Sequence, residues 1–153
     1  VQTYNLLHTP LTIRCRHMKI LVVDDNPTNL EIITLLLRSV GHDVLDAMDG
    51  ASAITRAGAE QPAVVFMDLA MPGQLDGLQA TRLLKADPAT RAIVVVAVTA
   101  MVSKMDSREA AEAGCDAFIR KPYTRRDLLD TIARFFPDAP QALIRRPPPQ
   151  AIT

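Results

Sequence analysis

Five short apolar runs, rich in β-branched residues, alternate along this chain with longer stretches of helical spacing, and few folds accept that pattern. The runs are "ILVV" (20–23), "DVLDAM" (43–48), "AVVFM" (63–67), "IVVVAV" (93–98) and "AFI" (117–119). Three are almost wholly apolar, as strands covered on both faces must be. The segments between them carry helix signals. Asn26 stands as N-cap with Pro27 at the first helical position, Leu30, Ile33 and Leu37 share one face, and Gly41 supplies the stop. Asp49-Gly50, Asp76-Gly77 and Gly114 punctuate the later helices in the same way. Strict alternation of this kind predicts an α/β sandwich with a parallel sheet and right-handed crossovers.

At 153 residues with 48% apolar content, the chain can bury one substantial core. Residues 18–137 form the expected domain. Residues 1–17 read as an upstream extension or leader, because they lack periodicity and Met18 stands directly before the first strand. Residues 138–153 read as a proline-rich tail or linker, with Pro140, Pro147, Pro148 and Pro149 among them. The helix expected over 103–113 offers mainly Met105 and alanines as its apolar face, which predicts the least firmly packed element.

Lys plus Arg and Asp plus Glu each total 17, so the net charge is zero and no global field favours nucleic acid or an anionic membrane. Cys15 and Cys115 stand near no other cysteine or histidine at metal-binding spacing, and they read as free thiols in a reducing compartment. No apolar run approaches the length of a bilayer span, and the N-terminal stretch is too polar and broken for a signal peptide. A soluble cytoplasmic protein is expected. His8, His17 and His42 are scattered and suggest no site.

In open parallel sheets, ligands sit outside the carboxyl ends of the strands. The first run ends in Asp24 and Asp25, the third in Asp68, the fourth in Thr99, and the fifth runs through Arg120 to Lys121. Singly, each residue has an ordinary use: the aspartates and Thr99 as caps or turn residues, Lys121 as a solvated surface lysine. Together they deliver three acids, a hydroxyl and an ammonium to one edge. Three converging carboxylates cannot all ionise cheaply without a counterion, and an all-oxygen set suits a hard cation that keeps some waters, namely Mg²⁺. With that cation present, Asp68 is a plausible nucleophile toward a phosphoryl group, with Lys121 neutralising phosphoryl oxygens and Thr99 donating a hydrogen bond.

These residues resemble the receiver domains of two-component response regulators, of the single-domain chemotaxis and cell-cycle type. The likeness covers roughly 19–136 and rests on "VVDDN", "MDLAMPG" around Asp68, "VTAM" around Thr99 and "FIRKPY" around Lys121. It implies a flavodoxin-like (βα)5 three-layer sandwich with strand order 2-1-3-4-5. It also implies that Asp68 accepts a phosphoryl group from a sensor histidine kinase or a histidine phosphotransfer protein. Asp25, Asp68 and the Ala70 carbonyl would hold Mg²⁺, with Asp24 acting mainly through metal-bound water. Thr99 would turn toward the phosphoryl group, Lys121 would pair with it, and Phe118 falls at the family's aromatic switch position. The Lys121-Pro122 bond is expected to be cis.

Signalling is then expected through protein contact by the 99–136 face, from a monomer or a phosphorylation-dependent dimer, with no enzymatic activity beyond the chain's own phosphorylation and slow dephosphorylation. The same residues would suit a receiver cut from a hybrid histidine kinase or a multi-domain regulator. A haloacid-dehalogenase-like phosphatase would need a second acid where Ala70 stands. A flavodoxin-like cofactor binder would need a donor-rich loop where "DDNPTN" is acidic, and a purely structural pseudo-receiver would lack one or more of the five residues. Ala70 and Met101 are nonpolar at places where the family often orients the hydrolytic water, which predicts slow self-dephosphorylation. "MPGQLDG" carries one residue more than the family spacing, so the loop 71–77 is expected to be reshaped.

Overall fold

A computed structural model of the protein describes residues 17–100 and 104–137. Elements follow in the order β1 (Lys19–Val23), α1 (Pro27–Ser39), β2 (Asp43–Ala47), α2 (Gly50–Glu60), β3 (Val64–Asp68), α3 (Gly77–Ala86), β4 (Val94–Thr99), α4 (Lys104–Ala113), β5 (Ala117–Arg120) and α5 (Arg125–Phe135). Each strand begins and ends within one residue of its expected run. The parallel sheet has the order β2-β1-β3-β4-β5, the flavodoxin-like arrangement that the resemblance implied. The expectations for Cys15, Met101, the segment before residue 17 and the tail from 138 lie outside the described residues, as does the Met105 side chain.

Alternation along the strands divides the core in two, because successive side chains point to opposite sheet faces. Ile20, Val22, Val64, Phe66, Val96 and Val98 face one side and pack with Leu30, Ile33 and Leu37 of α1 and Leu128 and Ile132 of α5. Leu21, Val23, Val65, Met67, Val95 and Ala97 face the other, against Ala53 and Ala57 of α2, Ala80 and Leu84 of α3 and Ala110 of α4. Each large side chain so buried contributes about 1.5–3 kcal/mol. Ala110 and Ala113 are the buried apolar side chains described on α4, and their small area agrees with the expectation of light packing.

Local chemistry sets the boundaries. The Asn26 side chain accepts from the N–H groups of Thr28 and Asn29, with Pro27 behind it. Asp49 caps α2, and Asp76 with Gln79 and Thr124 with Asp127 form reciprocal capping boxes on α3 and α5. Gly41 follows α1 at φ +96°, a left-handed conformation that lets the chain turn back at once into β2.

Candidate functional site

Parallel strands bring their carboxyl ends to one edge, and here that edge collects the five residues. Asp68 and Thr99 are the last residues of β3 and β4, Asp24 and Asp25 follow β1 directly, and Lys121 follows β5. The Lys121 N–H donates to the Thr99 carbonyl at 2.8 Å, which extends the β4–β5 pairing to the rim of the site.

The lysine side chain reaches across to the acids. Its Nζ donates to Asp24 Oδ2 at 3.1 Å and to Asp68 Oδ2 at 3.2 Å. Both acids are buried, whereas Asp25 is exposed at the mouth. Asp24 also accepts from the Asn26 N–H at 2.9 Å and from Asn29 Nδ2 at 3.3 Å, so α1's first turn holds it in place. Asp68 accepts from the Ala70 N–H at 3.0 Å through its other oxygen. Thr99 is fully buried beside this group.

The electrostatics follow from burial and crowding. Burial pushes the Asp68 carboxyl above its ordinary range and Asp24 adds to the rise, while the Ala70 N–H and Lys121 oppose it without prevailing. Burial also disfavours the Lys121 ammonium, yet the Asp68 and Asp24 carboxylates outweigh that cost and hold it above the usual lysine range. The site is thus short of positive charge: one lysine serves two buried acids with a third beside them.

Asp24, Asp25 and Asp68 each offer an oxygen, and these oxygens lie within 4.8 Å of one another. An all-carboxylate set with solvent at its mouth fits a hard, oxygen-preferring divalent cation. Ala70 lies exposed between the buried Leu69 and Met71, next to these acids in the chain. The Lys121-Pro122 bond is cis. Phe118 is half-buried; it packs against the α2–α4 side of the core and borders a groove of about 340 Å³ with Arg120, Thr131 and Arg134.

Asn29 and Tyr123 were not singled out from sequence, although both stand at the site. Together with Ile32, Ala100, Lys121 and Pro122 they line a cleft of about 490 Å³. Asn29 carried a usable signal, since it falls in the first turn of the helix that directly follows the acid pair. No helix among the described residues is long and apolar enough to cross a membrane.

Comparison with known proteins agrees with this geometry. The response regulator receiver domain matches residues 20–133. Protein PilH of Pseudomonas aeruginosa is 41% identical over 114 residues, spanning 74% of this chain and 93% of that protein. The polar-differentiation response regulator DivK of Brucella anthropi is 32% identical over 120 residues, spanning 78% and 97%. Among solved structures, the receiver domain of a Pseudomonas aeruginosa sensor histidine kinase, with a magnesium ion in its active site cleft, superposes with a TM-score of 0.72 at 33% identity, covering 77% of this chain and 96% of that one.

Proposed function

Because the chain belongs to the response regulator receiver domain family of two-component signalling, we propose that it is a phosphoacceptor switch that takes a phosphoryl group onto Asp68 in a Mg²⁺-dependent reaction. The observation that carries this reading is the Lys121 ammonium bridging buried Asp24 and Asp68, with Asp25 beside them. Asp24, Asp25, Asp68 and the Ala70 carbonyl would hold the cation. When bound, it supplies the positive charge that lets a phosphoryl dianion enter a pocket of carboxylates.

The rest follows from the chain's own groups. An Asp68 oxygen attacks phosphorus, the bond from phosphorus to the donor's imidazole nitrogen breaks, and its electron pair returns to that nitrogen. Lys121, already held between Asp24 and Asp68, neutralises charge on the phosphoryl oxygens, and the Thr99 hydroxyl donates to one of them. Asp24, fixed by Asn26 and Asn29, keeps the lysine aimed. Movement of Thr99 then biases β4's end, α4 and Phe118, and the 99–136 face carries the change to a protein target.

The donor is a sensor histidine kinase or a histidine phosphotransfer protein, and the reaction takes place in the cytoplasm. The chain catalyses its own phosphorylation and slow dephosphorylation and nothing further. The receiver unit is 18–137. A second reading, a receiver within a hybrid histidine kinase, draws support from the likeness to the sensor kinase's receiver domain.

Intact mass after incubation with acetyl phosphate tests the reading. A gain of about 80 Da, one phosphoryl group, is expected with Mg²⁺, and no gain without Mg²⁺ or in Asp68→Ala. A folded protein that gains no mass in any condition refutes it.

A further inference from the structure

The loop from Leu69 to Asp76 leaves the sheet at the phosphoacceptor and is gripped at both ends by a glycine at a helix start. At Gly77 a Cβ would lie 2.1 Å from the Asp68 carbonyl oxygen and 2.7 Å from the Leu69 Cα. At Gly50, the first residue of α2, it would lie 2.5 Å from the Leu75 carbonyl oxygen and 3.2 Å from the Leu75 carbonyl carbon. Real Cβ atoms essentially never approach closer than 3.0 Å, so neither place admits a side chain without moving backbone. Gly58, later in the same helix, has nothing within 4 Å of such a Cβ among the described residues. The crowding therefore belongs to the contact with the loop, not to α2 in general.

Between the two grips, Leu69 and Met71 sink into the core, Ala70 stays at the surface, and Gly73 takes φ +115°, where side chains are strained. "MPGQLDG" runs through this stretch, and its Leu75 packs partly buried on the same core. Gly50 is held by this loop rather than by any of the three acids.

We propose that Gly50 is a positioning residue for the cation site. By admitting the Leu75 backbone against α2, it closes the loop onto the core and fixes the backbone on which the Ala70 carbonyl is presented. This rests on the phosphoacceptor reading above. A small octahedral cation demands oxygen distances near 2.0–2.1 Å, so a displacement of a few tenths of an ångström in the loop lowers affinity. Supporting groups outside a metal's direct ligands typically alter affinity by about tenfold or more.

The test is Mg²⁺ titration of the full chain by calorimetry and by amide chemical shifts of Asp68 and Ala70, in wild type, Gly50→Ala, Gly58→Ala and Leu75→Ala. Gly50→Ala is expected to weaken Mg²⁺ binding about tenfold, and saturating Mg²⁺ is expected to restore its rate of phosphorylation by acetyl phosphate. Gly58→Ala is expected to bind as wild type does. Leu75→Ala loosens the same contact from the loop side without adding bulk to the helix. It is expected to weaken binding in the same direction, so the proposal stays testable if Gly50→Ala does not fold. Wild-type affinity in folded Gly50→Ala, or in Leu75→Ala, overturns the proposal while leaving the phosphoacceptor reading intact. Equal losses in Gly50→Ala and Gly58→Ala overturn it too. A wild-type chain that neither binds Mg²⁺ nor gains a phosphoryl group overturns both.

Discussion

Replacing Lys121 with methionine keeps most of the side-chain volume and removes the charge, which isolates the electrostatic role of the bridge. The ammonium sits 3.1 Å from Asp24 and 3.2 Å from Asp68, and at an effective dielectric near 20 each attraction is worth about 5 kcal/mol before desolvation. Measured losses on breaking buried pairs run at about 3–5 kcal/mol, because a buried charge is left without a partner. Here the two acid side chains are 3% and 7% exposed but the lysine is 20% exposed. Water can therefore enter where the ammonium was, and the expected loss is toward the lower end, about 3 kcal/mol at neutral pH without Mg²⁺. The loss should shrink as acid protonates the stranded carboxylates, and again on adding Mg²⁺, which supplies the missing positive charge. Urea unfolding followed by far-ultraviolet circular dichroism measures all three conditions, the chain having no tryptophan. Equal stability of Lys121→Met and wild type at neutral pH without Mg²⁺ would refute the reasoning.

Two further outcomes are expected. His42 is buried between α1 and β2, and neither ring nitrogen has a hydrogen-bond partner among the described residues. Burial, and secondarily the charge of His17, holds its pKa below the usual histidine value. The folded state then binds fewer protons than the unfolded chain. The associated stability is full above the unfolded value, about 6.5, and is lost as pH falls through it toward the lowered folded value. His42→Leu should flatten this decline as pH falls below the unfolded histidine value of about 6.5 in urea unfolding, and an unchanged slope would exclude the histidine as its source. Ala70 carries no polar group to orient a hydrolytic water, so the phosphorylated protein, followed by intact mass, should persist for minutes or longer, and a half-life of seconds would contradict that account.

Much of this architecture is written locally. Apolar runs bounded by Asn26-Pro27, Asp49-Gly50 and Asp76-Gly77 specify strands and helix starts, because capping and alternation act over a few residues. The same local rules place Asp24, Asp25, Asp68, Thr99 and Lys121 at strand ends, and a parallel sheet then gathers them at one edge. Strand order does not follow from alternation, which permits several windings; it came from the likeness to receiver domains and is borne out by the sheet.

Tertiary structure alone brought a cation to the inner acid of the pair. Asn26 and Asn29 hold Asp24 locally while its neighbour Asp25 stays at the mouth, but the Lys121 ammonium that Asp24 meets arrives from β5, far along the chain. Tertiary structure also decided what confines the loop beyond Asp68. Gly50 meets Leu75, and the Gly77 backbone crowds Asp68, between residues too far apart in sequence for any period or cap to register. Local rules act through torsions and hydrogen bonds within a turn or two. These contacts arise from the packing of whole helices on the sheet, so they exist only once the layers have closed.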